Sequence, residues 1–187
     1  MTRPRGRPRR EKAPASPEQI LVTALKLLET GGVEAFTMRA LADQLQVSPM
    51  TIYHYFRDRD GLIDALSEYV YAEVSAPATG AFRDRIRSLL QAYHDQVLSY
   101  PSLTLLIFMQ PAVFPRQAQR ITDEIKRLLV EAGLPLALSR LWLNILVDFT
   151  HGAAIAAAMG DRSNSAIQDA KEEYDKTLSE LLRGLKS

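Results

Sequence analysis

A chain of 187 residues with 47% hydrophobic side chains can bury one sizeable core, or a small domain beside a larger one. It has no cysteine, which excludes disulfide frameworks, thiolate zinc sites and cysteine nucleophiles. The net charge of +1 conceals an asymmetry: residues 1–12 hold six basic groups against Glu11 alone, while the remaining 175 carry 17 basic and 21 acidic groups, so a polyanion partner is expected at one end only.

Residues 1–15 are basic and proline-rich, a composition expected to stay disordered without a partner. No apolar signal core interrupts them, and a cytoplasmic location is expected. Within them Pro4-Arg5-Gly6-Arg7-Pro8 is similar to the core of an AT-hook. Prolines hold such a segment extended, Gly6 lets the backbone sit deep, and Arg5 and Arg7 are placed to enter a narrow A·T-rich minor groove. The alternative is a generic basic tail that adds affinity by counterion release alone.

Ser16-Pro17-Glu18-Gln19 reads as a helix start, with Ser16 as cap, Pro17 in the first turn and Gln19 reaching back. Ile20, Ala24, Leu27 and Leu28 follow at helical spacing until Gly31-Gly32. A second helix is predicted from the cap Thr37, with Met38, Leu41, Ala42 and Leu45 inward, and a third from Pro49 to Phe56. Residues 57–61 read as a break, and a fourth helix is expected from Leu62 up to Pro77, carrying Leu62, Ile63, Leu66, Tyr69 and Val70. Further helices are expected near 81–99, 102–109, 116–132, 135–159 and 165–184, punctuated by prolines and glycines. No segment alternates with a period of two, so the fold class is all-α.

Two short helices at 37–44 and 48–56 have the dimensions of a helix-turn-helix. At 100° per residue, Ile52 and Phe56 point to one side of the third helix and Met50, Thr51 and His54 to the other, with Tyr53 and Tyr55 on the flanks. Hydroxyl, imidazole and thioether groups suit base edges and thymine methyls, while the tyrosine hydroxyls suit phosphates on either wall of a major groove. Thr37 at a helix N-terminus, Arg39 and Arg59 add candidate phosphate contacts.

The run Phe36-Thr37-Met38-Arg39-Ala40-Leu41-Ala42, then Val47-Ser48, Thr51-Ile52-Tyr53-His54-Tyr55-Phe56 and Arg59-Asp60-Gly61-Leu62, closely resembles the TetR family of regulators over roughly residues 16–70. The resemblance implies that Tyr53 and Arg59 bind phosphate and that His54 reads bases. Two departures stand out: Met50 sits where a glycine is common, and Arg59 where a lysine is usual. The family reading divides the chain into a disordered arm at 1–15, a DNA-binding domain at 16–62, and a helical effector-binding and dimerisation domain at 63–187. It implies double-stranded DNA, a second copy of the chain and a small hydrophobic or amphipathic effector as partners, with no cofactor and no membrane. The expected activity is repression from a pseudo-palindromic operator, with half-sites about 34–36 Å apart. The alternative is an architectural DNA-binding protein without a ligand. No nucleophile–base–orienter set, phosphate loop or metal cluster points to an enzyme.

Helix 135–159 is apolar almost all round and is expected to lie buried, interrupted by a polar stripe of Arg140, Asn144, Asp148 and His151. Its small-residue half, Gly152 to Ala158, and the last helix with Ile167, Ala170, Tyr174, Leu178, Leu181 and Leu185 suit a four-helix dimer seam. Candidate pocket walls are Phe108, Met109, Phe114, Trp142 and Phe149, with Tyr93, Asn144 and His151 as orienting groups. Asp148 and His151 supply only two metal ligands, so no metal site is expected, and His94-Asp95 reads as a solvated helix face.

Overall fold

The computed structural model describes residues 15–110, 114–161 and 163–185; the basic arm, including Arg5, Gly6 and Arg7, lies outside the described residues. Among the described residues nine helices and no strand are present: α1 (Pro17–Ala35), α2 (Met38–Leu45), α3 (Pro49–Phe56), α4 (Arg59–Tyr71), α5 (Phe82–Ser99), α6 (Pro101–Phe108), α7 (Arg116–Glu131), α8 (Leu136–Met159) and α9 (Asn164–Arg183). The all-α expectation is met.

The capping chemistry works as the sequence predicts. Ser16 Oγ accepts from Gln19 N at 3.2 Å and Gln19 Oε1 accepts from Ser16 N at 2.9 Å, closing a capping box. Gly32, at φ 72°, leaves helical geometry inside α1 where the glycine pair predicted a stop. Leu41, Ala42, Ile52, Leu62, Ile63 and Leu66 join Ile20, Ala24 and Leu28 in a shared core under the first four helices.

The break expected at 57–61 is shorter than predicted. Arg57, at φ 62° and ψ −56°, centres a γ-turn in which Asp58 N donates to Phe56 O at 2.7 Å. Asp58 Oδ1 then caps α4 by accepting from Gly61 N at 2.7 Å, so α4 starts at Arg59 rather than Leu62. Gly61 is not a breaker. A Cβ there would lie 2.2 Å from Phe56 O, so glycine is what lets α4 start directly against the end of α3.

The other end of α4 also differs. The helix stops at Tyr71, well before Pro77, because the guanidinium of Arg120 on α7 donates to Tyr71 O at 3.2 Å and Val74 O at 2.6 Å. Val74 N also donates to Tyr71 O at 3.1 Å, so a tight backbone turn and an external donor together satisfy the end of the helix. Glu124, one turn along α7, accepts from Ala76 N at 3.0 Å and holds the chain as it leaves α4. Burial falls on Ser67, Val70 and Tyr71, leaving Tyr69 exposed.

In the larger helical body, α8 packs on α5, α7 and α9. Its buried side is Ser139, Leu143, Leu146, Thr150, Ala154 and Ala158. The expectation of all-round burial is overturned: Leu138, Leu141 and Ile145 are exposed, although α8 is long and apolar enough by composition to cross a membrane. The neighbouring helices cover only one face of a helix that carries apolar residues on both. His94 corrects the sequence reading in the opposite direction. It is only 2% exposed and stacks on Tyr174 at a 4.0 Å centroid distance, while Asp95 turns outward to Lys171 at 2.8 Å.

Candidate nucleic-acid interface and ligand cavity

The connection between α2 and α3 is set by Gln46, which takes a left-handed conformation at φ 57°, and by Val47 N donating to Ala42 O at 3.0 Å. Ile52 is fully buried, which pins α3 through one side and turns the opposite side outward. On that outer side Met50 is 71% exposed, and Tyr53, His54 and Tyr55 are also exposed. His54 meets Tyr55 edge-on at 5.4 Å. Thr51 is half-buried, with its hydroxyl 3.2 Å from Ser48 Oγ, so it shares the capping of α3 with that serine.

Thr37 is exposed and caps α2, its Oγ1 accepting from Ala40 N at 3.1 Å. Arg39 is exposed one residue into α2. Arg59 is half-buried, its guanidinium 5.5 Å from the Phe36 ring centroid. That stacking holds the cation at the α4 N-terminus between α1 and α3. The first four helices thus expose two phenols and an imidazole on α3 and a guanidinium on α2, with a second guanidinium half-buried at the start of α4.

A second feature lies in the larger body, a cavity of about 360 Å³. Its walls are Tyr71 of α4, Tyr93 of α5, Thr104, Ile107 and Phe108 of α6, Phe114, then Ala118, Ile121 and Thr122 of α7 and Val147, Asp148 and His151 of α8. An aromatic chain runs through it. Tyr71 and Tyr93 lie 5.6 Å apart between centroids, Tyr93 and His151 5.3 Å, and Phe108 and His151 4.7 Å. Tyr93 Oη and His151 Nε2 are 2.5 Å apart, and the hydroxyls of Tyr71 and Thr104 2.9 Å.

Burial sets the ionisation of these groups. It pushes the Tyr71 phenol up to about 12 against a smaller opposing pull from its Thr104 hydrogen bond, and it raises the Tyr93 phenol as well. It lowers the His151 imidazole to about 4, an effect only partly offset by the Asp148 carboxylate. At neutral pH the cavity thus presents phenols and a neutral imidazole.

Residues 20–66 match the model of the family described as bacterial regulatory proteins, tetR family. An HTH-type transcriptional repressor of Mycobacterium tuberculosis is 32% identical over 143 residues, which cover 72% of this chain and 54% of that protein. The chain belongs to the TetR family. The tetracycline repressor protein class A from transposon 1721 of Escherichia coli is 29% identical over 150 residues, covering 78% of this chain and 68% of the relative. BioQ of Mycobacterium smegmatis shares the fold at a TM-score of 0.76 and 22% identity, over 91% of this chain and 97% of that one. The chain spans about half the length of the first curated relatives it matches.

In this TetR-family chain the candidate residues Thr37, Arg39, Met50, Tyr53, His54 and Tyr55 are exposed, and Thr51 and Arg59 are half-buried. The candidates of the larger body divide. Tyr93, Phe108, Phe114 and His151 line the cavity. Met109 is 67% exposed beyond the end of α6, and Asn144 is exposed on α8. Trp142 is half-buried and packs towards Gly184 at the end of α9. Phe149 stacks on Tyr174 at 5.3 Å and 9°, on the α9 side of α8. The polar stripe of α8 therefore splits, with Asp148 and His151 at the cavity and Arg140 and Asn144 exposed. Tyr71, Thr104 and Thr122 are polar lining residues that sequence reasoning missed. For Tyr71 a signal existed, since it lies five residues beyond Leu66 and next to Val70 on the stripe that α4 buries.

Proposed function

We propose that the protein is a DNA-binding transcriptional repressor, acting as a homodimer on a pseudo-palindromic operator in the cytoplasm and released by a small effector held in the cavity. The observation that carries it is the outward face of α3, where Met50, Tyr53, His54 and Tyr55 are exposed although Ile52 and the neighbouring core are fully buried. A solvent-facing cluster of groove-compatible side chains on a rigid helix fits direct readout. His54 reads bases with Met50 and Thr51, while Thr37, Arg39, Tyr53, Tyr55 and Arg59 contact phosphates. The curated relatives being transcriptional repressors supports the reading.

The cavity favours an effector-responsive repressor over a ligand-independent architectural protein. Residues 16–62 serve as the DNA-binding unit and 63–187 as the sensing and dimerisation unit, with α4 crossing between them. The arm, through Arg5, Gly6 and Arg7, adds minor-groove or phosphate contacts beside the main site.

A gel-shift titration on the upstream region of the protein's own gene tests this. Tyr53→Phe weakens binding about equally across sequences, and His54→Ala changes which bases are tolerated. Undiminished binding by both variants defeats the assignment. Deleting residues 1–12 lowers the slope of log affinity against log salt by about 0.9 for every phosphate that the arm neutralises; an unchanged slope removes the arm from the mechanism.

A further inference from the structure

We propose that the cavity takes a lipophilic organic monocation. The inference rests on the effector reading above and names the chemistry of its ligand.

Four aromatic rings, Tyr71, Tyr93, Phe108 and Phe114, are among the lining residues. Each ring face carries a negative quadrupole that attracts a cation passing within about 6 Å of its centroid. The one formal charge among the described lining residues is the Asp148 carboxylate, which is exposed at the rim and makes no ion pair with another described residue. The imidazole of His151 is neutral at pH 7 and its Nε2 is engaged by Tyr93 Oη, so it adds no positive charge.

The nearby guanidiniums are committed elsewhere. Arg116 donates from N and Nε to the Asp64 carboxylate at 3.0 and 2.9 Å. Arg120 is spread over Gln117, Glu124 and the two carbonyls at the end of α4. An anion entering the cavity would meet a carboxylate at the rim and no countercharge inside, leaving it desolvated and unpaired. A cation would gain the carboxylate at the entrance and the aromatic faces within. The volume, about 360 Å³, lies in the range of small-molecule sites.

The test is calorimetric titration of the full-length protein with two probes matched in shape and opposite in charge, tetraphenylphosphonium and tetraphenylborate. The phosphonium is expected to bind about tenfold tighter than the borate. Asp148→Asn, at an exposed position, should weaken phosphonium binding about fivefold, and Asp148→Lys should reverse the preference. Equal or tighter binding of the borate, or binding of neither probe, overturns the inference. The same probes are added to the DNA complex in a parallel gel shift. Phosphonium binding without release of DNA supports the ligand class and defeats the effector reading instead.

Discussion

The hydroxyls of Tyr71 and Thr104 lie 2.9 Å apart in a buried bond that ties the last turn of α4 to the middle of α6. Tyr71 and Thr104 both line the cavity, while the first turn of α4 abuts the end of α3. One helix thus connects the cavity wall to the small helical unit that holds α3. Two further contacts brace the same level. Glu29 of α1 accepts from Ser102 and Leu103 N at the start of α6, at 3.3 and 3.2 Å, and Arg116 of α7 pairs with Asp64 of α4. Thr104→Val leaves a buried phenol without its partner and should cost about 1–3 kcal/mol in urea unfolding. The Tyr71→Phe/Thr104→Val double variant should recover part of that loss, because both polar groups are then gone. Strict additivity of the two single changes would show that the bond contributes nothing of its own.

Gly61→Ala tests the corner that sets the angle of α3. A methyl group at residue 61 meets the carbonyl oxygen of Phe56 at 2.2 Å, and backbone on both sides must move to relieve it. Overpacking of this kind costs roughly 1–3 kcal/mol. Thermal unfolding should fall accordingly, and operator affinity should fall further than the remaining folded fraction explains, because α3 is displaced. An unchanged melting temperature would mean that α4 does not depend on this close approach.

The helix pattern was legible from apolar periodicity and punctuation, and errors fell where a distant group intervened. Tyr69 and Tyr71 are both tyrosines near the end of one amphipathic run. They lie two residues apart on α4 and so point to opposite sides of it, Tyr71 with the buried Ser67 and Val70 and Tyr69 to solvent. What no periodicity could show is the end of the helix, where Arg120, forty-nine residues beyond Tyr71 in sequence, donates to the Tyr71 carbonyl. Phe149 and Trp142 looked like pocket walls because each is a large ring on an apolar helix. Periodicity shows that α8 has two apolar faces without saying which neighbour covers which, and here one ring stacks on Tyr174 of α9 and the other packs towards Gly184. The α3 surface was more readable because its elements are adjacent in sequence and Ile52 fixes the rotation by itself.

The exposed apolar side of α8 has a direct consequence for assembly. Leu138, Leu141 and Ile145 lead into Phe149, Gly152 and Ala156 at steps of three and four, and α9 flanks the same side with Ala170 and Thr177. A second copy packed over this stripe would bury it in a four-helix seam. Ile145→Glu should shift sedimentation from dimer to monomer, a loss of about 2 kcal/mol or more of association free energy. The fold of each chain should survive, because Ile145 points away from the core. Leu146→Glu, at a fully buried neighbour, should instead unfold the chain. A dimer that persists in Ile145→Glu would place the seam elsewhere.

His151 makes stability depend on pH in a defined direction. Burial holds its folded-state value at about 4, below the ordinary 6.5 that the unfolded chain regains. Above about pH 6.5 the imidazole is neutral in both states, and it has no effect on the balance. As pH falls from about 6.5 towards 4 the unfolded state takes up a proton that the folded state refuses, so stability declines through that window. Below about 4 both states are protonated and the decline from this group levels off. The full effect is at most about 3 kcal/mol. His151→Gln keeps a hydrogen-bonding partner for Tyr93 and removes the titration. Urea midpoints of wild type and variant should therefore converge as pH drops from 7 to 4, with carboxylate contributions cancelling in the difference. A difference that stays constant with pH would mean that His151 titrates alike in the folded and unfolded chains.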